Sequence, residues 1–109
     1  MQRVFEIFEE ILSIPRSSGK EEKIANYIVE FAKTHNLEYK KDEYNNVFIK
    51  KNNNSDKTII LQAHSDMVCV ANDDYDFDNK GIEFYIDGDY YKTKNTSLGA
   101  DDGVGLAII

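Results

Sequence analysis

The chain has 109 residues, enough for at most one domain, and its 41% hydrophobic content is ordinary for a globular core. With 13 Lys and Arg against 20 Asp and Glu its net charge is −7, which argues against nucleic acid or an anionic membrane surface as a partner. No apolar run approaches the roughly 20 residues of a membrane span, and the single cysteine, Cys69, excludes an intrachain disulfide and fits a reducing, cytoplasmic setting.

The first residues, Met1 to Glu6, enter an acidic amphipathic helix rather than an apolar leader. Val4, Phe5, Phe8, Ile11 and Leu12 recur at helical spacing, and the helix should end before Pro15. Ser17-Ser18-Gly19 reads as a turn, with Ser18 at capping-box distance from Glu21 to start a second helix. That helix carries Ile24, Ala25, Ile28, Phe31 and Ala32 on one stripe and stops near Thr34-His35-Asn36, where His35 suits the helix dipole.

From Leu37 the period changes. Leu37 to Asp42 and Val47 to Lys50 are predicted strands joined around Asn45-Asn46, and a polar loop, Lys51 to Asp56, follows. Thr58-Ile59-Ile60-Leu61 is a continuous apolar run, predicted to be a strand covered on both faces. Each of its aliphatics would gain about 1.5–3 kcal/mol on burial, enough to fix His64 at a rigid strand end. Ile82 to Ile86 and Tyr90 to Thr93 flank Asp87-Gly88, a hairpin signal, and the tyrosines read as core or hairpin packing. Gly105 to Ile109 opens an apolar helix with no polar face, cap or stop. The expectation is an amino-terminal piece, residues 1–109, of a longer catalytic domain truncated at its C-terminus, with Leu106 to Ile109 inviting self-association. The predicted class is α/β, a mixed sheet with helices packed on it and a hairpin inserted before the last helix.

Two segments carry metal-capable side chains. Leu61-Gln62-Ala63-His64-Ser65-Asp66-Met67-Val68 places Asp66 two residues beyond His64, on the same side of an extended chain. A ligating histidine needs an acceptor on its second ring nitrogen, and Asp66 can supply one. Ser97-Leu98-Gly99-Ala100-Asp101-Asp102-Gly103-Val104-Gly105 places two adjacent carboxylates in a Gly-rich turn before a helix. Their repulsion calls for a cation or a helix N-terminus, and a carboxylate can bridge two cations. A plain helix N-cap is the competing reading of that turn.

Together the two segments resemble the amino-terminal part of the zinc aminopeptidase/carboxypeptidase/aminoacylase superfamily. Within it, Leu98-Gly99-Ala100-Asp101-Asp102-Gly103, and Asp76-Phe77-Asp78 ahead of the hairpin, look most like bacterial aminoacyl-histidine (Xaa-His, or cytosolic non-specific) dipeptidases. The resemblance spans nearly the whole chain, including the Asn45-Asn46-Val47 strand, and implies a di-zinc exopeptidase fold. It implies that His64 ligates one zinc, that Asp101 bridges both, and that Asp66, the candidate in the catalytic set, orients the histidine. Asp102 follows the bridging position across a peptide that is commonly cis in the family, and Gly99 and Gly103 form the turn. It further implies two Zn2+ per complete site, with Co2+ or Mn2+ as alternatives, and a dipeptide substrate. The general-base glutamate and remaining ligands have no match here, so these residues by themselves should be inactive. Rival readings are a tripeptidase, an aminoacylase, a carnosinase-like enzyme, or a non-catalytic module that kept the fold.

Other motifs carry less. Asp74-x-Asp76-x-Asp78-Asn79 imitates a calcium loop, but the sixth position is Asn79 and the twelfth Tyr85, where such loops need Gly and Glu. Asn95-Thr96-Ser97 fits a glycosylation sequon with nothing else to suggest secretion. Cys69, between two valines, reads as a small buried hydrophobe.

Overall fold

A computed structural model describes residues Met1–Ile109. Three helices and two hairpins follow in the order α1 (Gln2–Leu12), α2 (Glu22–Thr34), β1 (Glu38–Lys41), β2 (Val47–Lys50), β3 (Phe84–Asp87), β4 (Tyr90–Thr93) and α3 (Ala100–Ile108). Helices combine with antiparallel β1–β2 and β3–β4, so the α/β class holds. No helix is long and apolar enough to cross a membrane.

The core is small and lies where α1 crosses α3. Phe8, Ile11 and Leu12 of α1 meet Ile24 of α2, Ala107 of α3, Met67 and Ile82. The helical spacing in α1 thus becomes a face buried at Phe8, Ile11 and Leu12, with Phe5 left exposed and the glutamates outside it. Phe8 stands edge-on to Tyr91 of β4 with ring centroids 5.4 Å apart, while the Tyr91 hydroxyl donates to Glu9 Oε1 at 2.9 Å. The β3–β4 hairpin is thereby fastened to α1. On the other side, α2 packs against β1–β2, and Lys41 Nζ donates to Asn26 Oδ1 at 3.0 Å.

Local chemistry accounts for the turns. Asp42 Oδ1 accepts the backbone N–H groups of Tyr44 and Asn46, and Asn45 takes the left-handed conformation that asparagine tolerates. In the second hairpin the reversal falls on Gly88–Asp89, one residue later than the Asp87-Gly88 signal suggests. Gly88 has φ +61°, and Asp87 pairs with Tyr90. Glycine at the first central position suits the right-handed twist of the strands.

Three expectations need correction. Ser18 does not cap α2; its hydroxyl donates to Asp66 Oδ2, and the helix begins after Glu21 without a side-chain cap. Thr58 to Leu61 forms no strand, and Ile59, Ile60 and Leu61 are 84%, 82% and 66% exposed. An apolar run becomes a buried strand only with a paired neighbour and covered faces. Neither hairpin pairs with this one, so its burial energy is not collected here. Nor do all the tyrosines pack: Tyr44 and Tyr90 are exposed, on the β1–β2 turn and at the start of β4. The molecule is extended, with a radius of gyration of 15.0 Å against about 13 Å for a compact domain of this length.

Candidate functional site

Both chemistry-bearing segments are held by a three-ply arrangement of extended chain. On one side of Met67, Ser17 makes a parallel bridge, and the Met67 N–H donates to the Arg16 carbonyl at 2.9 Å. On the other, Ala71 and Thr96 bridge antiparallel; the Ser97 N–H donates to the Val70 carbonyl at 2.8 Å, and the Ser97 hydroxyl to the Val68 carbonyl at 2.7 Å. Met67 is buried and Val68 exposed, the period-two alternation of extended backbone. His64 thus owes its position to the rungs beyond it, around Met67, and not to the Ile59–Leu61 run before it.

These rungs bring His64, Asp66 and Asp101 together. His64 Nε2 lies 3.0 Å from Asp101 Oδ1. His64 Nδ1 lies 3.0 Å from the Asp66 carbonyl oxygen and 3.1 Å from Asp66 Oδ1. Oxygens of this kind only accept, so Nδ1 carries a hydrogen and donates it. A neutral imidazole then has a lone pair on Nε2, aimed at a carboxylate oxygen. Two acceptors at 3.0 Å repel unless a positive group lies between them: a proton, which makes the ring imidazolium, or a metal ion. The His64 pKa is raised, chiefly by the hydrogen bond to Asp101; burial opposes this, and Asp66 adds to the rise.

Asp66 is itself braced. The Ser18 hydroxyl on Oδ2 is the main reason its pKa lies below the usual carboxylate range; burial opposes this and His64 adds to it. The neighbouring acids behave differently from each other. Asp101 is exposed and faces His64, whereas Asp102 is half-buried and turns back over Gly105. The peptide between them is cis, as the resemblance implies. A Cβ at Gly105 would come within 2.8 Å of Asp102 Oδ2, so this position must lack a side chain for Asp102 to fold back. Gly99 has φ +84°, and the Gly103 N–H donates to its carbonyl at 3.2 Å as α3 begins.

Sequence reasoning missed Arg16 and the role of Ser18. Arg16 is 1% exposed and reaches both segments: Nη1 donates to the Ser65 carbonyl at 3.1 Å and Nη2 to the Gly99 carbonyl at 2.6 Å. Burial lowers its pKa, while Cys69, Asp66 and Asp102 oppose that. The only signal was one of the chain's two arginines beside a proline in a turn. Other motifs resolve structurally. Asp76 accepts the N–H groups of Asp78 and Asn79, closing its own turn, and Asp78 pairs with Lys20 at 2.9 Å. Cys69 is half-buried with Ser17 Oγ 3.1 Å from its sulfur, and the His35 ring stacks on Phe31.

No family model matches the chain. It is 41% identical over 112 residues to the cytosol non-specific dipeptidase of Escherichia coli (strain K12), a similarity covering 97% of this chain and 23% of that protein. Its structure superposes on that of the aminoacylhistidine dipeptidase from Vibrio alginolyticus with a TM-score of 0.87 and 40% identity, over 96% of this chain and 23% of that one. The similarity to dipeptidases expected from the two motifs therefore extends along the chain. This chain spans about a quarter of the length of the relatives it matches.

Proposed function

We propose that residues 1–109 form the amino-terminal part of a zinc-dependent dipeptidase's catalytic domain, acting in the cytoplasm on aminoacyl-histidine or a wider range of dipeptides. The observation that carries this reading is the arrangement around His64, whose two ring nitrogens both face acceptor oxygens. The names of the two relatives support the substrate class, and that of the Escherichia coli protein supports the compartment.

The residues present fit a metal. Zinc–ligand bonds of about 2.0–2.2 Å put two donors of a tetrahedral ion roughly 3.3–3.6 Å apart, a few tenths of an ångström more than the 3.0 Å between His64 Nε2 and Asp101 Oδ1. Imidazole nitrogen and carboxylate oxygen are ordinary zinc donors, and Asp66 on Nδ1 holds the tautomer that frees Nε2. His64 and Asp101 would hold the ion, with the free oxygen of Asp101 open to a second. When bound, the zinc pair supplies Lewis-acid polarisation of the scissile carbonyl and an acidified water. This chain's residues orient the imidazole through Nδ1, so that a bound cation takes the place of the Nε2 proton, and present an exposed carboxylate beside it. Two donors cannot complete a tetrahedral site, so the other ligands and the general base must come from residues outside this chain.

In the longer protein, His64→Ala and Asp101→Asn should each abolish dipeptide hydrolysis and lower zinc content in parallel. Activity and zinc both retained in Asp101→Asn would leave a non-catalytic module, or a site elsewhere, as the better reading.

A further inference from the structure

Arg16 is the most deeply buried charged side chain in the molecule, and no carboxylate pairs with it directly. Its two Nη nitrogens are spent on main-chain oxygens instead, while Nε is buried without a hydrogen-bond partner. Nη1 donates to the Ser65 carbonyl at 3.1 Å and to the Asp66 carbonyl at 3.4 Å, and Nη2 to the Gly99 carbonyl at 2.6 Å. Those acceptors adjoin His64 on one segment and lie two residues before Asp101 on the other. The Arg16 carbonyl closes the frame by accepting the Met67 N–H at 2.9 Å. A planar fork with donors at fixed angles can span two chain segments at once, which a flexible ammonium cannot.

Two glycines make room for this fork. A Cβ at Gly99 would come within 2.6 Å of Arg16 Nη2, and one at Gly103 within 2.7 Å of the same atom. The turn that carries Asp101 is thus bare of side chains on the face the guanidinium occupies. Phe8 closes that face from α1, with Cε1 3.2 Å from the Gly103 Cβ position. A cation serving stability alone could sit against any core carbonyls; the side-chain hydrogen bonds of this one all go to the two site-bearing segments.

We infer that Arg16 is the positioning residue of the centre: its buried guanidinium sets the separation of the His64–Asp66 segment from the Gly99–Asp101 turn, keeping His64 Nε2 and Asp101 Oδ1 within reach of one cation. The inference rests on the metal-centre reading of these residues, but its geometric half can be tested without metal.

Arg16→Met, Arg16→Lys and Gly103→Ala separate the possibilities; the last leaves Arg16 present and intrudes on Nη2. Two readouts apply: nuclear Overhauser contacts between the His64 ring and Asp101 in the chain, and zinc affinity by calorimetry in the longer protein. Contacts between Phe8 and Tyr91 serve as the core control. Arg16→Met and Gly103→Ala should keep the Phe8–Tyr91 contact, lose the His64–Asp101 contact, and weaken zinc binding at least tenfold. Arg16→Lys, reaching one segment but not both, should recover only part of the zinc affinity. If the wild-type longer protein binds no zinc yet the variants lose the His64–Asp101 contact, the positioning role stands and the metal reading fails. Retention of that contact in Arg16→Met, with zinc affinity within twofold of wild type, would overturn the inference. So would loss of the Phe8–Tyr91 contact in both variants, since Arg16 would then serve overall stability.

Discussion

Replacing Asp66 with Asn probes the link between geometry and metal affinity with little change of shape. Asparagine keeps an oxygen to accept from His64 Nδ1, and the Ser18 hydroxyl can rotate to accept from the new amide. What disappears is the negative charge 3.1 Å behind the imidazole. Removing such an orienting carboxylate lowers metal affinity by about 10–100-fold, or about 1.4–2.8 kcal/mol. The Asp66 side chain is 32% exposed and that of His64 47%, so solvent screening places the effect toward the tenfold end. Zinc calorimetry on wild type and Asp66→Asn, with ring 15N spectra to confirm that Nδ1 remains the protonated nitrogen, measures it directly. An unchanged zinc affinity with an unchanged tautomer would show that Asp66 contributes nothing through His64, and the argument from the second ring nitrogen would fail.

Other expectations concern pH, packing and the exposed run. Because His64 is raised above its ordinary 6.5 chiefly by Asp101, its pairing stabilises the metal-free fold fully below about pH 6.5. That contribution fades as pH rises through the folded value, so Tm should carry a falling component above about pH 6.5 that Asp101→Asn reduces; equal slopes in the two proteins would refute it. Zinc binding should strengthen over the same rise, since the ion replaces the Nε2 proton, and calorimetry in buffers of different ionisation enthalpy should detect proton release. Phe8→Ala, at a site 3% exposed, should cost about 3–5 kcal/mol in denaturant unfolding; a cost below about 1 kcal/mol would contradict the α1–α3 core. Ile60→Thr should shift stability by less than about 0.5 kcal/mol, as befits an 82% exposed side chain, and a loss above about 1.5 kcal/mol would restore the buried-strand expectation.

Elements with local causes were legible from the residues. The apolar stripe of α1, the Pro15 boundary and the β1–β2 turn follow from side-chain spacing and backbone preference, and the structure places them where expected. The hairpin after Phe84 was foreseen with its reversal one residue early, because Gly88 can serve at either central position of a tight turn. Ile59 to Leu61 misled, since a buried strand depends on neighbours that the run itself does not encode. The meeting of His64 with Asp101 was expected from two motifs far apart in the chain, and the 3.0 Å separation agrees. Arg16 was hidden for a similar reason. Its partners are main-chain carbonyls of Ser65, Asp66 and Gly99, and carbonyls leave no trace in side-chain patterns. Ser18 looked like a helix cap because the spacing to Glu21 is right; the long-range carboxylate of Asp66 competed for the same hydroxyl and won.

The central claim is that a cation belongs between the imidazole of His64 and the carboxylate of Asp101. Anomalous diffraction at the zinc edge, from crystals of the longer protein grown with zinc, addresses it most directly. The account predicts a peak within about 2.0–2.2 Å of both His64 Nε2 and an Asp101 carboxylate oxygen. A well-ordered site without that peak, its Nε2 still hydrogen-bonded to Asp101 through a proton at saturating zinc, would contradict it.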